Sequence, residues 1–173
     1  TGGTNIGIGA SAGGDGTEMS NCVFIGASAG YYVDDGDYNL AIGWLSMYGQ
    51  DGVTNCSQNI AIGLSSLKNI TTGNYNIAFG SSACYYATDG DHNIALGFDA
   101  MKGNSDGTST TGNDYNIAIG RQALLSITTG DYNVGIGNDT LQSITTGGHN
   151  IVIGRSAGLG ITEGGHNILL GYQ

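Results

Sequence analysis

The stretch Thr128-Thr129-Gly130-Asp131-Tyr132-Asn133-Val134-Gly135-Ile136-Gly137 decides the reading of this chain, because its pattern is written ten times along the sequence. Each copy carries a short apolar run closed by glycine, as in Asn59-Ile60-Ala61-Ile62-Gly63 and Asn76-Ile77-Ala78-Phe79-Gly80. The closing glycines are Gly9, Gly26, Gly43, Gly63, Gly80, Gly97, Gly120, Gly137, Gly154 and Gly171, and seven of the nine intervals equal the seventeen positions from Gly63 to Gly80. The two exceptions, Gly43 to Gly63 and Gly97 to Gly120, are the same unit lengthened by an insertion. The insertions fall within 44–58 and 98–115, in the same half of the unit, where loops often carry recognition.

So short an apolar run does not make a helix, and a unit of about 17 residues leaves no room for a pair of helices. Each unit therefore reads as two short strands and two turns wound once around an axis. The expected fold class is all-β: a single parallel β-solenoid (β-roll) over 1–173 with about ten 17-residue coils, in a trimeric or filamentous assembly. Coils stacked at roughly 4.8 Å make a rod about 45–50 Å long.

Composition supports this and excludes other classes. The 173 residues include 33 glycines and no proline, with four Lys+Arg against 14 Asp+Glu and a net charge of -10. Glycine without a Gly-X-Y period is not collagen. So acidic a chain is not built to hold a nucleic-acid backbone or an anionic membrane surface. No apolar run approaches the roughly 18 residues that a membrane helix requires.

Alternation within the motif assigns faces. Three residues before the glycine stands Ile, Val or Leu in all ten units, and one before it Ile, Leu or Phe. These are expected to form the core. The residue between them is Ala or Gly in seven of ten units. A small-residue stripe of Ala41, Ala61, Ala78, Ala95 and Ala118 is then expected to face another copy of the chain, most simply in a three-fold bundle. The other reading of the stripe is a thin coil whose second face is covered by its own chain.

Further columns follow from the period. Asn5, Asn39, Asn59, Asn76, Asn93, Asn116, Asn133, Asn150 and Asn167 recur four before the glycine, with Cys22 in the remaining unit. Asn tolerates left-handed backbone, and its amide can donate to one coil and accept from the next, so this is a structural ladder. Before it stands a ring in seven units: Tyr38, Tyr75, His92, Tyr115, Tyr132, His149 and His166. Stacking at the turn is the primary reading, and Tyr38, Tyr75, Tyr115 and Tyr132 are the candidate glycan contacts. Asp37, Asp91, Asp114 and Asp131, with Asp35 and Asp89 beside them, form an acidic column. They read first as turn residues and second as Ca²⁺ ligands, although the calcium-binding Gly-Gly-x-Gly-x-Asp repeat is absent.

The three cysteines, Cys22, Cys56 and Cys84, read as free thiols. All three histidines share one column without a nucleophile or orienting carboxylate at motif spacing, so no catalytic residues are assigned. Zinc spacings are absent, and Gly7-Ile8-Gly9 lacks the helix of a dinucleotide fingerprint. The chain is expected not to be an enzyme and to need no cofactor.

The runs Tyr75-Asn76-Ile77-Ala78-Phe79-Gly80 and Ser126-Ile127-Thr128-Thr129-Gly130-Asp131-Tyr132-Asn133 resemble the TTG-x-Y-N-x-A-x-G repeats of bacteriophage tail fibres and related secreted fibre proteins. They are also similar to the Asn-Ser-Val-Ala-Ile-Gly repeats of trimeric autotransporter adhesin heads, with a longer period. The resemblance implies a parallel β-roll, trimeric in those families, that projects from a virion or cell and binds a surface receptor. Together these observations make a non-enzymatic extracellular fibre or filament shaft the expected function. It would associate with copies of itself laterally through the Ala stripe and end to end through open coil edges. An adhesin module recognising cell-surface glycan is the alternative.

Overall fold

The computed structural model describes residues 3–16, 18–103 and 112–172. Ten strands of three residues follow one another: β1 (Ile6–Ile8), β2 (Val23–Ile25), β3 (Leu40–Ile42), β4 (Ile60–Ile62), β5 (Ile77–Phe79), β6 (Ile94–Leu96), β7 (Ile117–Ile119), β8 (Val134–Ile136), β9 (Ile151–Ile153) and β10 (Ile168–Leu170). They form one parallel sheet in chain order. The register repeats from pair to pair, as in Ile77↔Ile94, Ala78↔Ala95 and Phe79↔Leu96. The fold is the expected β-solenoid. Each coil contributes one strand rather than two. Its other half consists of turns bonded to the same turns of the next coil, as where Met47 N–H donates to the Ser66 carbonyl at 2.8 Å.

The closing glycine permits this stacking. Gly63 has φ +135°, and a Cβ there would lie 2.6 Å from the carbonyl oxygen of Gly80 in the next coil, so no side chain fits.

The faces are the reverse of the sequence expectation. Ala41, Ala61, Ala78, Ala95 and Ala118 are fully buried inside the coil, whereas Ile60, Ile77, Phe79, Ile151 and Ile153 are exposed. The Ala stripe is therefore not the surface that meets another copy; it is covered by its own chain. The physical reason is space. The interior is filled from the turns by Met47, Leu67, Cys84, Met101, Leu124 and Leu141, four positions after each closing glycine, and by Val33, Ile70, Ile127 and Ile144 further along the coil. Only a methyl group fits between them on the strand.

Departures from Ala make this volume rule visible. Where the strand carries Phe24, the facing turn positions of the coils on either side are Gly13 and Gly30, and a Cβ on either would meet the Phe24 ring. Where the strand carries Gly135, the Leu124 side chain occupies the space of the absent methyl. Where it carries Val152, the facing turn residue is Gly158, whose Cβ would lie 3.3 Å from a Val152 methyl carbon. Large and small alternate so that each coil encloses about the same volume, as close packing demands.

The turn residues that fill the core sit in left-handed backbone, at φ 48° for Leu67, 51° for Leu124 and 49° for Leu141. That conformation is rare for bulky residues. Inter-coil bonds hold it, as where Leu67 N–H donates to the Ala83 carbonyl at 3.0 Å and Leu124 N–H to Thr140 at 2.9 Å.

Phe24→Ala should lower the unfolding free energy by about 3–5 kcal/mol, the usual cost of emptying a buried aromatic site. Adding Gly30→Leu to that variant should recover part of the loss, whereas Gly30→Leu alone should destabilise. Chemical denaturation of the three variants measures the coupling, and additive effects would contradict the volume rule.

Candidate functional site

Three side-chain columns run beside the strands at the turn preceding them. The innermost is the Asn ladder, buried from Asn39 to Asn150. Asn76 shows the arrangement: its Oδ1 accepts the Asn93 N–H at 2.9 Å, while its Nδ2 donates to the Asn59 Oδ1 at 3.1 Å and to the Gly90 carbonyl at 2.7 Å. The same pattern links Asn116, Asn133, Asn150 and Asn167. A side chain with one acceptor and two donors satisfies three partners here, which explains the demand for Asn. At Cys22, the unit without Asn, the thiol donates to the Gly36 carbonyl at 3.2 Å and its sulfur accepts the Asn39 N–H at 3.4 Å. The left-handed backbone expected at Asn belongs to the residue before it, at φ 57° for Tyr38, 59° for Tyr75 and 58° for His92.

That preceding residue forms the second column. Tyr75, His92, Tyr115, Tyr132, His149 and His166 stack in one pile, with centroids 4.7–5.0 Å apart and planes within 1–9° of parallel. The spacing is that of the coils. It limits which ring faces among the candidate glycan contacts are open. A pyranose stacked between two rings needs a gap of about 7–8 Å, two van der Waals contacts wide. Tyr115 and Tyr132 have both faces covered and Tyr75 has one covered by His92. Sugar stacking on ring faces is therefore ruled out for Tyr115 and Tyr132, and only ring edges and hydroxyls face solvent there. Tyr38 lies in the same column between Asn21 and Gln58.

The third column contains the acidic residues. Asp91 Oδ1 accepts the Asn74 N–H at 2.6 Å, Asp114 accepts the Asp91 N–H at 2.8 Å, and Asp131 accepts the Asp114 N–H at 2.8 Å. Asp37 accepts the Ser20 N–H at 2.8 Å. Ser57 and Asn74 serve the same purpose in their coils, toward Asp37 and Ser57. Asp, Ser and Asn interchange because each offers an oxygen to the backbone of the preceding coil. Of the remaining Ca²⁺ candidates, Asp89 accepts the Gly112 N–H at 3.0 Å and Asp35 is exposed. Among the described residues no three of His, Cys, Asp and Glu converge on a point that could hold a metal ion.

Sequence reasoning missed a fourth feature, at the opposite corner. Tyr31, Tyr32 and Tyr48 cluster there, with Tyr31 and Tyr48 stacked at 5.6 Å and Tyr32 edge-on to both at 4.6 and 5.1 Å. Tyr85 and Tyr86 occupy the same corner, with Lys68 Nζ 5.2 Å from the Tyr85 ring centroid. The first insertion rises beside the cluster, where Thr54 Oγ1 bonds to both the N–H and the carbonyl of Gln50. Residues 104–111 of the second insertion lie outside the described residues. The carboxylates around this corner interact: desolvation, then Asp35, Asp51 and Asp15, raises the Asp34 carboxyl above its ordinary value. Asp15 likewise raises the Tyr31 hydroxyl. The signal was present in the sequence as a recurrence of Tyr five or six positions after the glycine, outside the strand motif.

Among the described residues no helix is long and apolar enough to cross a membrane. A cavity of about 600 Å³ beside β10, lined by Ala157, Ile161 and Leu169, is the interior of the coil seen from its edge.

These features define a parallel β-solenoid repeat protein whose turns carry internal ladders. No protein-family model, no curated protein and no solved structure matches the chain.

Asn116→Ala strands the Asn133 N–H and the Gly130 carbonyl inside the coil, and should cost about 2–4 kcal/mol in a denaturation experiment. Burial pushes the Cys56 and Cys84 thiols up to about 12. At neutral pH both should resist thiol reagents until denaturant is added, with labelling rates that follow unfolding; rapid native-state labelling would place them at the surface.

Proposed function

We propose that the chain is a non-enzymatic structural segment of an extracellular fibre, of the phage tail-fibre or bacterial surface-fibre kind, which associates with copies of itself. The observation that carries this reading is the commitment of side chains to the coil axis. The Asn, ring and acidic columns each spend their hydrogen-bonding or stacking capacity on a neighbouring coil, as Asn76, Tyr115 and Asp114 do. Such a chain is built for stiffness along one direction. The resemblance of its repeats to fibre proteins supports the extracellular placement.

Electron microscopy should show rods about 45 Å long or multiples of that length, and aligned material should diffract meridionally at about 4.8 Å. Globular particles without that reflection would refute the shaft.

A second reading, a glycan-binding adhesin, is favoured by one observation: the tyrosine corner beside the first insertion. Tyr31, Tyr32 and Tyr48 supply rings and hydroxyls, and the nearby Asp15 carboxylate is an acceptor of the kind sugar hydroxyls need. Glycan-array binding lost in a Tyr31→Ala, Tyr48→Ala double variant and kept in Tyr115→Ala would establish that reading. A shaft without receptor function gives no array signal from any of the three proteins.

A further inference from the structure

The outward face of the sheet is apolar at every rung. The residues three and one before each glycine number twenty, from Ile6 and Ile8 to Ile168 and Leu170, and none is polar. They point away from the coil interior, leaving Phe79 55% and Ile151 43% exposed, and Trp44, Leu64 and Phe98 extend the surface past the closing glycines. A solvated parallel strand would carry Thr, Lys or Glu there. Single exposed aliphatics need no explanation, but a continuous apolar band of this length does.

We infer that this face packs against the same face of a second copy of the chain, with the two rods parallel. The inference rests on the fibre reading above, and names the partner and the surface for its lateral association. Area is sufficient. Ten rungs at about 4.8 Å span about 43 Å, and three strand residues with the flanking column are about 13 Å wide. Two such faces bury roughly 1,100 Å² in projection, above the ~1,000 Å² expected of a specific interface. Shape selects a like partner, since only another solenoid of the same rung spacing seats its side chains between these rungs along the whole length. A lipid surface is a poorer match, because the band is narrow and bordered on one side by the ring and acidic columns of a chain of net charge -10.

Charge selects the direction. Arg121 and Arg155 stand just after the closing glycines of β7 and β9, at one border of the band. Arg121 is 53% exposed and reaches Asp139 of its own chain at 3.2 Å. A two-fold axis along the rods brings this border against the opposite border of the partner, which carries the ring and acidic columns. Arg121 then meets the rung of Asp114, with Asp131 one rung away. An antiparallel pair at full overlap would instead set Arg121 against Leu64 and Trp44 against Asn138. Parallel packing pairs Arg121 with carboxylates, sets Trp44 against the rung of Tyr38 and leaves Arg155 against the rung of His149.

Sedimentation equilibrium of the whole chain tests the pairing. The expected particle has twice the 17.6 kDa chain mass and dissociates on dilution. The variant Ile60→Lys, Ile77→Lys, Ile151→Lys should be monomeric, and the milder triple change to Thr should weaken association at least 10-fold, both with unchanged circular dichroism because these side chains point outward. A spin label at Ser28 should give one intermolecular distance below about 30 Å. In an antiparallel pair the labels are offset by seven rungs, about 34 Å along the axis. A chain that remains a monomeric rod at 100 µM overturns the pairing and the self-association but leaves the stiff shaft standing, whereas loss of the β signal or of the rod shape in the unaltered chain overturns the shaft reading itself. A three-fold particle, association that survives the Lys variant, the longer label distance, or a monomer that floats with phosphatidylcholine vesicles would each overturn the proposed pair.

Discussion

The volume enclosed by one coil governs this molecule. Seventeen residues wound once leave room for one large side chain from the turn, one aliphatic from the far side and almost nothing from the strand, so Ala78 and Ala95 lie between Leu67, Cys84 and Met101. Phe24 is admitted only because Gly13 and Gly30 withdraw. Once the strand's inward position is confined to small residues, the branched aliphatics required for strand formation have one place left, the outer face. The exposed band of Ile and Leu is thus a consequence of the thin coil. It is not a defect of burial.

The same confinement explains the polar ladders. A solenoid this slender has little apolar surface to bury per residue, and stability must come from repetition. Each Asn of the ladder from Asn39 to Asn150 is nearly free of solvent, so any unmade bond would carry the full cost of desolvation. The ladder avoids that cost by supplying every amide with partners in the neighbouring coils, as Asn133 does toward Asn116 and Gly147. One exception stands out: among the described residues the buried Asn113 amide has no hydrogen-bond partner, in a column where most units carry glycine. It adjoins the second insertion, where the regular period is broken.

The fold was legible in the sequence because its evidence is periodic. The spacing of Gly63, Gly80 and Gly97 specifies the coil, and the recurrence of Asn specifies a ladder without any knowledge of tertiary contacts. The facing of the strands was not legible. Alternation separates Ile77 and Phe79 from Ala78, but hydrophobicity alone cannot say which set is inside, and the larger residues are the natural guess. The information lay in the turn, where Leu67 and Ile70 compete for the same interior from left-handed backbone that a strand-based reading treats as loop. The ring column shows a similar limit. Its members were identifiable from their position before Asn, yet only the 4.7–5.0 Å spacing shows that Tyr115 and Tyr132 expend their faces on each other.

Placement of charge joins these points. A net charge of -10 over so narrow a rod would oppose lateral association if it were spread evenly. It is not spread evenly. The twenty outward strand positions are uncharged, while Asp91, Asp114 and Asp131 stand at the turn with an oxygen engaged by the preceding coil. Two rods meeting through their strand faces therefore bring apolar surface together and leave the acidic columns at the solvated border, where salt screens them. In the proposed pair the acidic excess has a physical role. It discourages contact through the turns, keeps rods apart in every orientation except the one through the aliphatic band, and so converts a non-directional hydrophobic attraction into a directional one.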